Sequence, residues 1–283
     1  MTNGTTTLWA WAVPAFFGGS PVDHTWVTDY DNRLTPYPTI TYVTQAGKNN
    51  WFCWGSFHPS GGTPQIADGL LGSIAANLTV ATCLVTPNLP SNGNPPAQGT
   101  IWQYGIDGVC HQLANQVLWS SSQSVAGPLT VNQARGYHVS TFLFGTYGRQ
   151  QSAWRNKMAH CASGALVALP ATMTEDAMDS PAEDDEFARR ARAVLSQSDD
   201  DRLQQILTLR GNAMRTADTM RARVDDAAQV SPSAAELNAH YNEVLRQAAT
   251  FLSKDEYRAL FGFDPAETVN LVDDGMTPPP LIS

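Results

Sequence analysis

The spacing of apolar residues changes its period near residue 172, and that change constrains the fold more than any single motif. Before it, apolar and aromatic residues come in short β-prone runs broken by glycine and proline. Thr7 to Phe17, Asp23 to Tyr30, Thr39 to Gln45 and Asn49 to Phe57 read as strands, as does Gly136 to Gly145 further on. Residues 63–86 give no single pattern: Ile66 to Leu78 is compatible with a small-residue helix, followed by a strand from Thr79 to Val85. After residue 172 the apolar residues recur every three or four positions, in the stripe Leu203, Ile206, Leu207, Ala213, Ala217, Met220, Val224 and again in Leu237, Tyr241, Val244, Leu245, Ala248, Leu252. Ser233 with Glu236 and Ser253 with Glu256 have the spacing of capping boxes that open helices, and Gly262 is placed to close the last one.

Composition breaks at the same place. Residues 1–172 hold all 8 Trp, all 4 Cys and 18 of the 21 Gly, with 5 acidic against 6 basic residues, whereas residues 173–283 hold 21 acidic against 11 basic. The expectation is α+β: a mixed domain with an antiparallel sheet over 1–172, an acidic all-α unit over 173–270 and a flexible tail over 271–283. Neither half has the basic surplus that phosphate contacts require, which argues against a nucleic-acid partner. No run approaches the ~18 apolar residues of a membrane span. Leu8 to Phe17 lacks a basic flank and contains Pro14, so it does not read as a signal peptide. Four cysteines in 283 residues are too few for a disulfide scaffold. Cytoplasm, or export without a cleaved signal, is the expected location.

Chemistry concentrates in the stretch from Gly105 to Ser121. Val109, Leu113 and Val117 repeat every four residues after a glycine-flexed loop in which Asp107 is a candidate N-cap, so Cys110 falls in the first turn of a helix. Free amide hydrogens and the positive helix end there favour a thiolate. A free cysteine by default packs as a small hydrophobe, and what lifts Cys110 above that default is the presence of histidines on strands. His24 precedes it and His138 follows it; either one can serve as the base that a thiol nucleophile needs. Gln45, with Asn49, Asp29 and His58 as other options, is a candidate to orient the imidazole. Gln103 is a candidate oxyanion donor beside the Cys110 N–H.

A histidine on an early strand, further strands and then a cysteine opening a helix resembles the circularly permuted papain-like cysteine hydrolases, the NlpC-like and lecithin:retinol-acyltransferase-like group. Asp23-His24-Thr25-Trp26-Val27 is similar to their histidine strand and Val109-Cys110-His111-Gln112-Leu113-Ala114-Asn115 to their cysteine helix, within residues 8–145. Two residues after the histidine that group often carries glycine, and this chain carries Trp26. The resemblance implies a papain-like domain and a hydrolase, amidase, thiol protease or acyltransferase. It also implies peptide, peptidoglycan or lipid-ester substrates and no cofactor. It says nothing of the helical unit, for which gating, a pro-segment or a protein partner are open roles. With His138 as base, the order of cysteine before histidine is that of the unpermuted papain-like enzymes.

Two rival readings remain. Cys53, His58, Cys110, His111, His160 and Cys161 are soft metal donors, but no Cys-x-x-Cys or His-x-x-x-His spacing joins them, so no metal is expected. The non-enzymatic alternative is an interaction module, in which the aromatic-rich first half binds and the acidic helices dock a partner.

Overall fold

The computed structural model describes residues 4–15, 22–28, 53–54, 70–80, 104–112, 114–115, 130–149, 186–195, 200–226 and 228–272. Four strands form one antiparallel sheet: β1 (Gly4–Ala15), β2 (Val22–Thr28), β3 (Cys53–Trp54) and β4 (Leu70–Val80), in the order β3-β2-β1-β4. β1 and β2 form a hairpin in which Val13 lies opposite His24 and Ala12 opposite Thr25. β4 occupies part of the stretch where the sequence is compatible with a helix. The Gly72, Ser73 and Ala75 positions that suggest small-residue helix packing lie instead along an irregular register with β1. The expected strand over residues 39–45 lies outside the described residues.

Five helices follow: α1 (Tyr137–Phe144), α2 (Glu186–Leu195), α3 (Asp200–Asp225), α4 (Ala234–Ala248) and α5 (Lys254–Phe261). This overturns the expected papain-like domain built on an antiparallel sheet, because the described body is mostly helical. The clearest single correction is α1. The segment Tyr-His-Val-Ser-Thr-Phe-Leu-Phe is too short for its apolar residues to separate a helical from a strand period. Tertiary packing decides it: every residue of α1 except His138 is buried, and the helix packs against α2, α3 and α5. Gly136 and Gly145 bound it with positive φ of 86° and 77°, conformations that side chains with a Cβ resist.

An aromatic cluster fixes that packing. Phe142 meets Phe187 at 4.9 Å and Phe261 at 5.2 Å between ring centroids, and Phe144 meets Tyr241 edge-on at 5.4 Å. Arg210, from the middle of α3, is fully buried beneath the cluster. Its Nε donates to the Phe142 carbonyl at 2.8 Å and one terminal nitrogen to the Thr141 carbonyl at 3.2 Å. The guanidinium thus satisfies carbonyls at the negative end of α1, while its face lies 5.2 Å from the Phe187 ring. The helical stripes read from the sequence do face the core: Ile206, Ala213, Ala217 and Met220 on α3, and Leu237, Tyr241, Val244, Leu245 and Ala248 on α4, are all buried.

Candidate functional site

Residues 104–115 form a tight loop and a helical turn wedged between the edge of β2, α1 and the C-terminal helices. The loop closes on itself through the Gly105 N–H and the Gly108 carbonyl at 2.8 Å. Gly105 has a φ of 81°, and a Cβ there would collide with Val272 and Leu237. Asp107, the expected N-cap, lies in this loop. Its carboxylate, 2% exposed, pairs with Arg221 of α3, and its carbonyl receives the Arg149 N–H at 2.8 Å. Tyr241 of α4 donates its hydroxyl to the Gly105 carbonyl. The cap is supplied from inside the turn, where Gln112 Oε1 accepts the Val109 N–H at 3.0 Å.

Cys110 stands first in this turn, 4% exposed. Its sulfur lies 3.9 Å from the Asp23 carbonyl, 87 residues away in sequence, and the thiol donates to that oxygen. Burial pushes the thiol above its ordinary pKa. The N–H and hydroxyl of Thr25 pull the other way, as do the N–H groups of His111 and Cys110 itself at the helix start, and burial prevails. The seat therefore has the donors expected of a helix N-terminus in a dry environment.

The backbone of β2 at residues 23–25 abuts the sulfur, which brackets His24 between two residues that touch it. The His24 backbone lies in β2 as expected; its side chain falls outside the described atoms. Asp23 is itself pinned. Its N–H donates to the Arg135 carbonyl, and its carboxylate accepts from the Arg135 N–H at 2.8 Å and Arg135 Nε at 3.3 Å.

His138, the alternative base, is on α1 rather than on a strand. Burial and the Arg190 guanidinium push its pKa down to about 4, and none of its described contacts reaches Cys110. Gln45, Gln103, Asp29, Asn49 and His58 lie outside the described residues, as do His160 and Cys161, and only the backbone of Cys53 is described.

The histidine whose ring is placed beside Cys110 is its neighbour, His111. Its Nε2 lies 3.1 Å from the Asp23 carbonyl, which can only accept, so Nε2 carries a hydrogen. Its Nδ1 lies 2.9 Å from Ser140 Oγ. With both ring nitrogens engaged, His111 is a strut between β2 and α1. Around it runs a buried network that the sequence did not single out. Gln112 Nε2 donates to Ser140 Oγ and to the Gly145 carbonyl, both at 3.1 Å. Asn115 donates to Tyr137 Oη at 3.1 Å and the Thr146 carbonyl at 2.7 Å, and accepts from the Val131 N–H at 2.9 Å. Tyr137 in turn donates to Glu186 at 2.7 Å. A signal did exist: Gln112 and Asn115 are amides near a helix start that also carries the apolar Val109 and Ala114, and amides buried there must find partners.

The chain matches no family model, no curated protein and no solved structure. Among the described residues no helix is long and apolar enough to cross a membrane, and no group of three or more His, Cys, Asp or Glu is placed to hold a metal ion.

Proposed function

We propose that the protein is a cysteine-dependent hydrolase or acyltransferase acting on an amide or ester, with Cys110 as nucleophile and His24 as its base. The observation that carries this reading is the contact of the Cys110 sulfur, at a helix start, with the strand edge that brackets His24. In the reaction His24 takes the thiol proton while the sulfur forms a bond to the carbonyl carbon. Collapse of that adduct breaks the carbon–nitrogen or carbon–oxygen bond, and the same proton goes to the leaving group. Water or an acceptor alcohol then releases the acyl group from sulfur. The Cys110 N–H, at the first position of the turn, is the main-chain donor this reading assigns to the oxyanion. Because burial opposes the thiolate, a cation beside it is required, and the reading assigns that role to the imidazolium of His24.

Burial of Cys110 favours a second reading, the interaction module, in which the thiol is simply packed. One experiment separates the two: iodoacetamide labelling of the native protein from about pH 5 to pH 8, with the reacting cysteine mapped by mass spectrometry. The enzyme reading expects Cys110 to alkylate ahead of the other three cysteines. It also expects His24→Ala to abolish the reactivity below neutral pH, while His138→Ala leaves it. Uniformly slow labelling of all four supports the interaction module and removes the enzyme.

A further inference from the structure

Asn238 and Asn242 lie one turn apart on α4, and both turn their amides onto the main chain of residues 269–272. Asn242 Oδ1 accepts the Val269 N–H at 2.9 Å, and its Nδ2 donates to the Val269 carbonyl at 3.0 Å. Asn238 Oδ1 accepts from the N–H groups of Leu271 and Val272 at 2.9 Å and 3.0 Å, and its Nδ2 donates to the Val272 carbonyl at 2.7 Å. Two side chains thus do for this segment what a neighbouring strand does for a strand, while Val269, Leu271 and Val272 are buried. Resting on the reading of Cys110 as the reactive residue, we propose that residues 269–272 are a strap that holds shut the loop before Cys110, and that local release of this strap controls access to the thiol.

Val272 joins the strap to the loop. It fills the space that a side chain at Gly105 would take, since a Cβ there would stand 2.8 Å from a Val272 methyl and 3.1 Å from Leu237 of α4. Tyr241 of α4 holds the same residue by its carbonyl. From Gly105 the chain closes on Gly108 and enters the Cys110 turn, so strap, α4 and loop pack as one unit at the approach to the thiol. Cys110 is 4% exposed, and a substrate or reagent reaches its sulfur only when an element around it opens. β2 is held by its ladder to β1 and by the bonds of Asp23 to Arg135, α1 by the buried bonds of Gln112 and Asn115, and the middle of the loop by the pair of Asp107 with Arg221. The strap has neutral hydrogen bonds from two half-buried side chains and a short apolar run, so its release costs least. Once Val272 lifts, Gly105 is free to turn, and the loop hinges at that glycine away from the Cys110 turn.

The test is the rate of Cys110 carbamidomethylation in the native full-length protein at one fixed pH, measured against urea below the unfolding transition, for wild type, Asn238→Leu, Asn242→Leu and Ser253→Ala. The wild-type rate is expected to stay flat with urea, the mark of a local opening that exposes little surface. Asn238→Leu keeps the bulk of the side chain and removes its bonds to Leu271 and Val272, and is expected to raise the rate about tenfold without urea. Asn242→Leu, which removes the two bonds to Val269, is expected to raise it less and carries the test should Asn238→Leu fail to fold. Ser253→Ala weakens the start of α5, which bonds to no part of the strap, and is expected to leave the rate at the wild-type value. Wild-type rates in both asparagine variants overturn the proposal, as does a wild-type rate that climbs from zero urea with the full slope of global unfolding. A Ser253→Ala rate raised as far as that of Asn238→Leu overturns it too. The nucleophile reading fails separately, when wild-type Cys110 reacts below neutral pH no faster than the other three cysteines, because the strap is judged on the ratio of variant to wild type alone.

Discussion

Two helix starts in this chain use the same local bond and are held in place by different things. At α5 the Glu256 side chain accepts the Ser253 N–H at 2.8 Å and Ser253 Oγ accepts the Glu256 N–H at 3.3 Å, while Gly262 ends the helix with a φ of 78°. At the Cys110 turn Gln112 accepts the Val109 N–H in the same way, but Val109 has no side-chain oxygen to return the bond. The missing half is made up over long range, from Gln112 Nε2 to Ser140 and Gly145 and from Asp107 to Arg221. A helix start closed by its own residues can be built anywhere. One that needs α1 and α3 to complete it exists only where the tertiary structure brings those partners together.

The largest expected effect tests that difference directly. Gln112→Met keeps the length of the side chain and removes its polar end. It strands the buried Val109 N–H and Gly145 carbonyl, and is expected to cost about 3–4 kcal/mol in urea unfolding, as unsatisfied buried groups do. The same unfolding curve for the α5 cap variant described below should show a loss several times smaller. Equal losses at the two sites would dissolve the comparison. Asp107→Asn comes next. It keeps the shape of a side chain that is 2% exposed but leaves Arg221 facing a neutral amide, and is expected to cost about 2 kcal/mol, less than the ~3–5 kcal/mol for breaking a fully buried pair because Arg221 is 20% exposed and water can reach it.

These contacts explain which parts of the fold were legible in the sequence. α4 and α5 announce themselves because their information is local: a serine, a glutamate three residues on, and a stripe at the helical period. β1 and β2 are legible for the same reason, since two β-prone runs are separated in the sequence by Gly18-Gly19. Tyr137 to Phe144 was misread as a strand because its helical state depends on Arg210, 66 residues on, which binds its terminal carbonyls, and on three helices that cover it. Cys110 is legible from its helix start, whereas the partner of Asp107 is not, because Arg221 comes 114 residues later. Ser140 and Tyr137 are not legible, because a buried polar network has no periodicity to betray it.

The acid response sharpens the contrast between α1 and the exposed helices. His138 is expected to titrate near its ordinary value when unfolded, and its folded pKa is about 4, lowered by burial and by Arg190. Between those values the unfolded chain binds the extra proton. Stability contributed by the neutral imidazole is therefore full above about pH 6.5 and lost as pH falls toward 4. Because the ring is only partly shielded, the loss is expected to be about 1–2 kcal/mol rather than the full value of the shift. His138→Leu should flatten that part of the stability profile. Arg190→Ala, which removes the repelling cation and raises the folded pKa toward the ordinary value, should shorten that interval from its acid end and shrink the loss. A wild-type profile that is flat from about pH 6.5 to 4 would show that His138 is not held neutral.

The smallest effect belongs to the self-contained helix start. Ser253→Ala removes the oxygen that receives the Glu256 N–H, at a place where water can take over that bond. The Glu256 carboxylate keeps the Ser253-position N–H and Arg202, both of whose bonds to it measure 2.7 Å. The loss is expected to be about 1 kcal/mol, the usual value for an N-cap. Ser253→Asp, which restores an acceptor and places negative charge at the positive helix end, should recover most of it. The charge also sits close to Glu256, so the recovery should improve with added salt, which screens that repulsion but barely affects a hydrogen bond. Such a rescue at α5 has no counterpart at the Cys110 turn. Val109→Ser there would supply the missing cap oxygen, but it exchanges a fully buried valine for a hydroxyl. The packing lost exceeds the cap gained, so that substitution should destabilise the chain even though it completes the local motif.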